Sequence, residues 1–323
     1  MDFFNIYYLQ IITFLAINAI LALSFYLPLA AGQLSLGSAG FMSIGAYTAA
    51  ILSINYGLPI FITMIAGALA AAFVGILLGF PALRLTGVYL AIATLGFGEV
   101  VRVLFLNLKI TNGALGIPGI PNLNGYFSGL YQTWGLQGDT LGLDLPRLSA
   151  LTTLLFCYLV LAICVVFILR QQKSRVGRAM AAIKADEVAS GVMGIGTTYV
   201  KMMAFTQGAF LAGLAGGLSA HVTNFIAPGD FDYHRAIDIL LFVVLGGSEL
   251  VWGGLLGAAI LSVMPEFLRF MQDFRWIIFG ALLVVMMVFR PQGLLDQQVL
   301  NWFAGWRKRG SGGSKGASSG EVD

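Results

Sequence analysis

LSALTTLLFCYLVLAICVVFIL (residues 148–169) runs directly into RQQKSRVGR (170–178), and this junction decides the fold class. The first part carries no charged side chain and is long enough for a helix to cross a bilayer, which takes about 20 apolar residues. The second part places Arg170, Lys173, Arg175 and Arg178 just after the span, a basic bias that marks a cytoplasmic loop. Working outward from it, further apolar runs cover 6–30, 37–54, 58–80, 86–106, 201–220, 236–248, 252–268 and 275–290. Composition agrees, with 58% hydrophobic residues, 10% charged and a mean hydropathy of +0.87. A soluble domain carries about 25% charged residues. The expected fold is therefore all-α: a polytopic transmembrane helical bundle of eight or nine spans occupying 1–296. The remainder, 297–323, reads as a flexible Gly/Ser-rich cytoplasmic tail.

Three runs are short or interrupted and read as short spans, broken helices or re-entrant pieces. Residues 37–54 are rich in Gly, Ser and Ala; 236–248 lead straight into GGSELVWGG; 252–268 hold Pro265 and Glu266 near the end. Gly75 and Gly79, Gly213 and Gly217, and Gly253 and Gly257 each place small residues four apart on one helical face, where membrane helices approach closely. The first apolar run lacks a basic leader and reads as a retained span.

The polar regions set the topology. Residues 107–147 hold two basic and two acidic residues; 170–200 hold five basic against two acidic; Arg290 follows the last run. The 170–200 loop and the C-terminus are accordingly expected inside, and 107–147 outside. With nine spans the N-terminus is outside as well. Within the inner loop, RAMAAIKADEVAS (178–190) has strong helix formers, is too polar to span, and is expected to form one helix across the cytoplasmic face.

Ionisable residues at membrane depth are expensive and face a bundle interior or a watery path. Glu99 and Arg102 are three apart and can pair on one face; the residues favour a structural pair over a substrate contact, gate or proton relay. Asp238, near Arg235, reads as a helix cap at an interface, Glu249 as a turn carboxylate or partner contact, and Glu266 with Arg269 as a second pair. Cys157 and Cys164, seven residues apart on one helix, are too distant to bridge and read as packing. His221 and His234 lack the further ligands of a metal site, and no catalytic constellation assembles. The net charge of +3 is too small to indicate nucleic acid. A transporter or transport-complex subunit is the leading class, with a channel, a membrane enzyme and an assembly protein behind it. No nucleotide-binding motif is present, so any ATP would be hydrolysed on another subunit.

Seven blocks, in order, carry a resemblance: LAAGQLSLGSAGFMSIGAYTAAIL (29–52), TGVYLAIATLGFGEVVRVL (86–104), ITNGALGIPGIP (110–121), VGRAMAAIKADEVASGVMGI (176–195), GAFLAGLAGGLSA (208–220), LLFVVLGGSELVWGGLLGAAIL (240–261) and MMVFRPQGLL (286–295). Together they resemble the LivM-type permease subunit of branched-chain amino-acid ABC importers. The resemblance implies a bacterial inner-membrane protein partnered by a homologous LivH-type permease, two cytoplasmic ATPase subunits that bind the ATP, and a periplasmic substrate-binding protein, with no cofactor on this chain. It implies leucine, isoleucine and valine as substrates, with urea and short-chain amides served by related permeases. It also implies a coupling segment within 170–200, with Glu187, Ala189, Gly191 and Gly194 at the ATPase. The usual pattern is altered there: Val188 stands where a second Ala is common, and Gly194 comes one position late. For such a substrate a small-residue path is expected, with Gly37, Ser38, Gly40, Ser43, Gly45, Gly246 and Gly247 as candidates.

Overall fold

A computed structural model describes residues 6–133, 144–267 and Gly280. The 275–290 run, the pair partner Arg269, Arg290, the block at 286–295 and the 297–323 tail lie outside the described residues, apart from Gly280. Among the described residues the chain forms α1 (Ile6–Ala30), α2 (Ser38–Tyr56), α3 (Ile60–Ala82), α4 (Val88–Asn107), α5 (Leu123–Thr133), α6 (Leu145–Lys173), α7 (Arg175–Ala185), α8 (Glu187–Val192), α9 (Thr197–Thr223), α10 (Tyr233–Gly246) and α11 (Val251–Phe267). A two-residue antiparallel ladder joins β1 (Ile117–Pro118) to β2 (Phe225–Ile226), pairing Ile117 with Ile226.

Four of these helices, α1, α3, α4 and α6, are long and apolar enough to cross a membrane. Large apolar side chains such as Leu69, Phe73 and Leu77 on α3 and Leu155, Leu159 and Ile163 on α6 point outward. In water such faces would drive aggregation; in lipid they cost nothing.

The interior is organised around α9, which packs against α1, α2 and α3. Small residues make this possible. A methyl group on Gly45 of α2 would collide with the backbone of Gly213 in α9, and one on Gly67 of α3 would meet the Gly45 carbonyl oxygen at 2.5 Å. Three helix backbones therefore converge with almost no side chain between them. Gly208 does the same against α1, where an added Cβ would lie 2.6 Å from the carbonyl oxygen of Ser24. Pro28, inside α1, has no N–H to give that carbonyl, so the close approach falls where the helix has lost a bond. All three four-residue glycine spacings face neighbours: Gly75 and Gly79 meet α9, Gly213 and Gly217 meet α3, and Gly253 and Gly257 meet α10.

The chain departs from regular helix at the places where the sequence weakens. Between α1 and α2, residues 31–37 are irregular, and Ala31, Gln33 and Ser35 are buried. The N–H of Leu36 is satisfied by Thr94 Oγ1 at 2.9 Å, from within α4, so α2 begins inside the bundle. Two expectations need correction. The helix expected over 178–190 is two helices, because Asp186 turns to extended backbone and its carboxylate accepts the Ala189 N–H at 2.9 Å, capping α8. The cap of α10 is Asp232, which accepts the Arg235 N–H at 3.1 Å, and Asp238 lies inside the helix.

The convergence at Gly45 yields a prediction. Gly45→Val should destabilise the protein by at least ~1–3 kcal/mol, read as a lower thermal midpoint and reduced yield of purified protein. Gly96→Ala is the control, because a methyl group there meets nothing within 4 Å; its midpoint should match or exceed the parent's. Equal midpoints for Gly45→Val and the parent would show that the backbones can separate at no cost.

Candidate functional site

At the end of the bundle formed by the last turns of α1, α3 and α6, two short helices lie against the start of α9. Ser174 caps α7, accepting the Gly177 N–H at 3.3 Å, and Met180 and Ile183 on its inner face pack with Ala31, Val200 and Ala204. An ion pair ties α8 to α9: Glu187 Oε2 stands 2.5 Å from Lys201 Nζ, whose side chain is 11% exposed. Lys201 lies in the second turn of α9, so α8 is pinned to the helix on which the core is built. The remaining surface of this element is apolar and open, with Val188, Val192 and Met193 exposed by 78%, 83% and 82%. Gly194 follows at φ +83°, a left-handed turn that suits glycine, and neither it nor Gly191 has a neighbour where a Cβ would stand. Ala189 donates its N–H to the Asp186 cap. The four residues assigned to coupling all lie on the short helix or the turn after it, and Glu187, though exposed, pairs with Lys201 of α9.

Beside this element is a cavity of about 490 Å³, lined among others by Tyr26, Gln172, Lys184 and Glu249. Gln172 donates to Tyr26 Oη at 2.6 Å, and that hydroxyl reaches the Glu249 carbonyl oxygen at 3.4 Å. Glu249, in the turn after α10, thus lines a cavity between α1, α6 and α7.

At the opposite end, the β1–β2 ladder closes a lid of irregular chain onto α9. His221 is fully buried and bridges two partners, Pro121 O at 2.8 Å through Nδ1 and Thr63 Oγ1 at 3.0 Å through Nε2. It fastens the segment after β1 to α9 and α3. No group of three metal-ligating side chains occurs among the described residues. Deeper in, Arg235 Nη2 donates to Asn18 Oδ1 at 2.7 Å, and Asn18 Nδ2 donates to Ser262 Oγ at 2.8 Å, linking α10, α1 and α11. Asn18 is midway along α1, about 18 Å from either end.

Glu99 and Arg102 stand together on α4, with Arg102 Nε 2.8 Å from Glu99 Oε2 and both side chains about a third exposed. The second carboxylate oxygen, Oε1, is buried without a hydrogen bond. The expected path residues sit mostly at helix contacts. Gly40 lies against Gly98 of α4, Gly45 against Gly213, and Gly246 against Gly253 and Gly257, while Gly37 caps α2 next to Thr94 and Phe41. Ser38 and Ser43 are buried on α2, and Gly247 takes φ +118° after α10.

Comparison with known proteins follows the same outline. The sequence model of the family described as branched-chain amino acid transport system / permease component matches residues 7–289. The chain belongs to this permease family. The high-affinity branched-chain amino acid transport system permease protein LivM of Escherichia coli K12 is 38% identical over 294 residues, covering 89% of this chain and 68% of that protein. LivM of Salmonella typhimurium gives the same identity and coverage. BraD of Pseudomonas aeruginosa, also named as such a permease protein, is 30% identical over 127 residues, 39% of this chain and 41% of that protein. No solved structure matches. The permease is a multi-pass membrane protein, as its helices and its relatives agree.

What residue reasoning missed in the permease is the set of bonds between distant segments. Glu187 with Lys201, Arg235 with Asn18, and His221 with Thr63 and Pro121 join elements whose adjacency only the fold reveals. A partial signal existed: Lys201, His221 and Arg235 are polar residues inside or opening apolar runs, and each of them needs a partner there.

The Glu99–Arg102 pair is testable as a cycle. Glu99→Gln leaves the guanidinium uncompensated and should lower the thermal midpoint of the purified protein. Adding Arg102→Met should restore part of the loss, with a coupling of about 1 kcal/mol. Strictly additive losses would mean that the two charges are solvated independently.

Proposed function

We propose that this permease is one half of the membrane core of an ATP-driven importer, moving leucine, isoleucine and valine across a bacterial inner membrane. The observation that carries the reading is the family match across 7–289, joined by the names of the LivM relatives. The basic bias of 170–200 supports a cytoplasmic position for the α7–α8 end, which turns the β1–β2 end toward the periplasm. On this reading α1, α3, α4 and α6 span fully, and α2, α9, α10, α11 and the 275–290 run make up a count of eight or nine. Residues 1–296 form the permease domain and 297–323 a cytoplasmic tail.

Membership of the permease family supports the partners of this reading. A homologous LivH-type permease completes the path, two cytoplasmic ATPase subunits supply ATP hydrolysis, and a periplasmic binding protein delivers substrate to the outer loops. The α8 surface supports a docking role: Val188, Val192 and Met193 are exposed apolar side chains on a cytoplasmic element that lipid does not cover. An ATPase groove accepting that face would grip a helix pinned to α9 through Glu187 and Lys201. Motion of the ATPase would then pass to α9, and from α9 to the helices packed on it.

The import reading is tested by reconstituting the full complex in proteoliposomes and following ATP-dependent uptake of labelled leucine, urea and lysine. Leucine should be taken up in preference to both. Strong urea uptake without leucine uptake would move the permease to the amide-carrying branch. The docking face has its own test. Val192→Glu places a charge in the contact and should cut leucine uptake about tenfold or more, equivalent to ~1.4 kcal/mol of lost coupling, while the protein remains in the membrane. Unchanged uptake, with unchanged ATPase copurification, would exclude α8 as the contact.

A further inference from the structure

A second cavity, of about 460 Å³, lies between α1, α2, α9 and the start of α10 at the β1–β2 end. Its wall contains opposite charges: Arg235 from α10 and Asp230 from the turn before it. Both are held in place. Asp230 Oδ2 accepts the Ala227 N–H at 2.8 Å, and the Arg235 guanidinium donates to Asn18, itself bonded to Ser262. The rest of the wall divides cleanly. Asn18, Ser219 and Thr223 are polar, whereas Phe14, Met42 and Phe231 are apolar.

A guanidinium at the depth of Asn18, midway along α1, is costly in a bundle unless it meets a counter-charge or a watery path. Asp238, one turn further along α10, and Asp230 both act on Arg235, and of these two carboxylates only Asp230 lines the cavity. The planar guanidinium fork of N–H donors matches a carboxylate or a phosphate bidentately, and the apolar wall beside it suits a carboxylate that carries a hydrocarbon side chain. The volume lies within the range of small-molecule sites, about 300–1,000 Å³. A cation, an anion and an apolar wall around one space are the complement of an amino-acid zwitterion with a hydrocarbon side chain. We propose that this cavity is a low-affinity station for the substrate within the permease, with the carboxylate on Arg235, the ammonium toward Asp230, and the side chain against Phe14, Met42 and Phe231. The assignment rests on the amino-acid import reading above. Weak binding is required here, since a station that held the substrate tightly would stop transport.

The test uses the reconstituted full complex carrying Ser219→Cys, with the parent complex, whose Cys157 and Cys164 are buried, as the unlabelled control. A membrane-impermeant thiosulfonate should modify the introduced thiol from outside. Leucine at ~10 mM, without ATP, should slow the modification about threefold, the effect of a ligand at twice its dissociation constant. Isovalerate, which lacks the ammonium, and isoamylamine, which lacks the carboxylate, should protect much less. Arg235→Gln should abolish protection by leucine, read as the ratio of the modification rates with and without leucine in that same variant, because removing a cation from the cavity also alters the reactivity of the thiol. Should that variant fail to assemble, Asp230→Asn takes its place and should leave leucine protecting no better than isovalerate. A complex that pumps leucine yet shows no protection overturns the station alone. So does protection that survives both substitutions, or an absence of modification at both Ser219→Cys and Thr223→Cys. A complex that does not pump leucine overturns the import reading, and the station with it.

Discussion

The close approach of backbones around Gly45, Gly67 and Gly213 is the constraint on which the rest of the permease depends. Lipid tails are as apolar as leucine, so helices gain little by exchanging lipid for one another. What remains is dispersion between well-fitted surfaces, and fit is best where no side chain intervenes. The small residues of α2, α3 and α9 supply that fit and fix the positions of three helices at once. Large side chains are then free to face outward, as Phe73 and Leu77 do on α3. Bulky residues such as Phe25, Tyr47 and Phe205 still fill the interior, but in contrast to a soluble protein they cover the outside as well, because the solvent is different.

Close glycine contacts fix the middle of the bundle, and polar bonds hold its ends in register. Each crosses between separate elements, and two of them reinforce helix pairs that glycine contacts also join. Glu187 with Lys201 ties the short helices to α9, His221 ties the segment after β1 to α9 and α3, and Arg235 with Asn18 and Ser262 ties α10 to α1 and α11. In a low-dielectric interior a lost partner is expensive, so such bonds define one arrangement more sharply than apolar packing can. Their positions also separate two uses of charge. The Glu99–Arg102 pair lies within one helix and can be satisfied by α4 alone. Arg235 lies at a cavity and its guanidinium is held from another helix, by Asn18 of α1.

Most of the helical framework was legible in the sequence. The apolar runs at 6–30, 58–80, 86–106 and 148–169 correspond to α1, α3, α4 and α6 within a few residues, because hydropathy over a span is a strong signal. Weak hydropathy over 37–54 and 236–248 marked α2 and α10, and both prove to be short helices beside irregular chain. The misses have a common cause. The helix over 178–190 has good formers throughout, but the Asp186 side chain competes for a backbone N–H and opens a new helix instead. Helix α5 lay hidden in a loop of Gly, Pro and Asn, since its packing against α6 is a tertiary matter. The path candidates were chosen as small residues, and in a membrane protein small residues mark helix contact at least as often as they mark a channel wall. Gly45 and Gly246 are cases of the first kind. Residues that line the cavities, such as Asn18, Ser219 and Arg235, are scattered over the chain and share no local pattern.

On the import reading, the same two features make a machine of the fold. Force from an ATPase would arrive on α8, which is tied to α9 by the bond from Glu187 to Lys201. Helix α9 would carry it the length of the bundle, because its glycine contacts hold α1, α2 and α3 without compressible side chains between them. At the far end α9 contributes Ser219 and Thr223 to the cavity that also contains Arg235 and Asp230. A small rotation of α9 would therefore change the wall of that cavity directly, without a relay through intermediate residues. The opposing wall moves less readily, since Arg235 is tethered through Asn18 to α1 and α11. Coupling in this design needs no mobile loop. It needs one rigid helix gripped at the cytoplasmic end and facing fixed charges at the other.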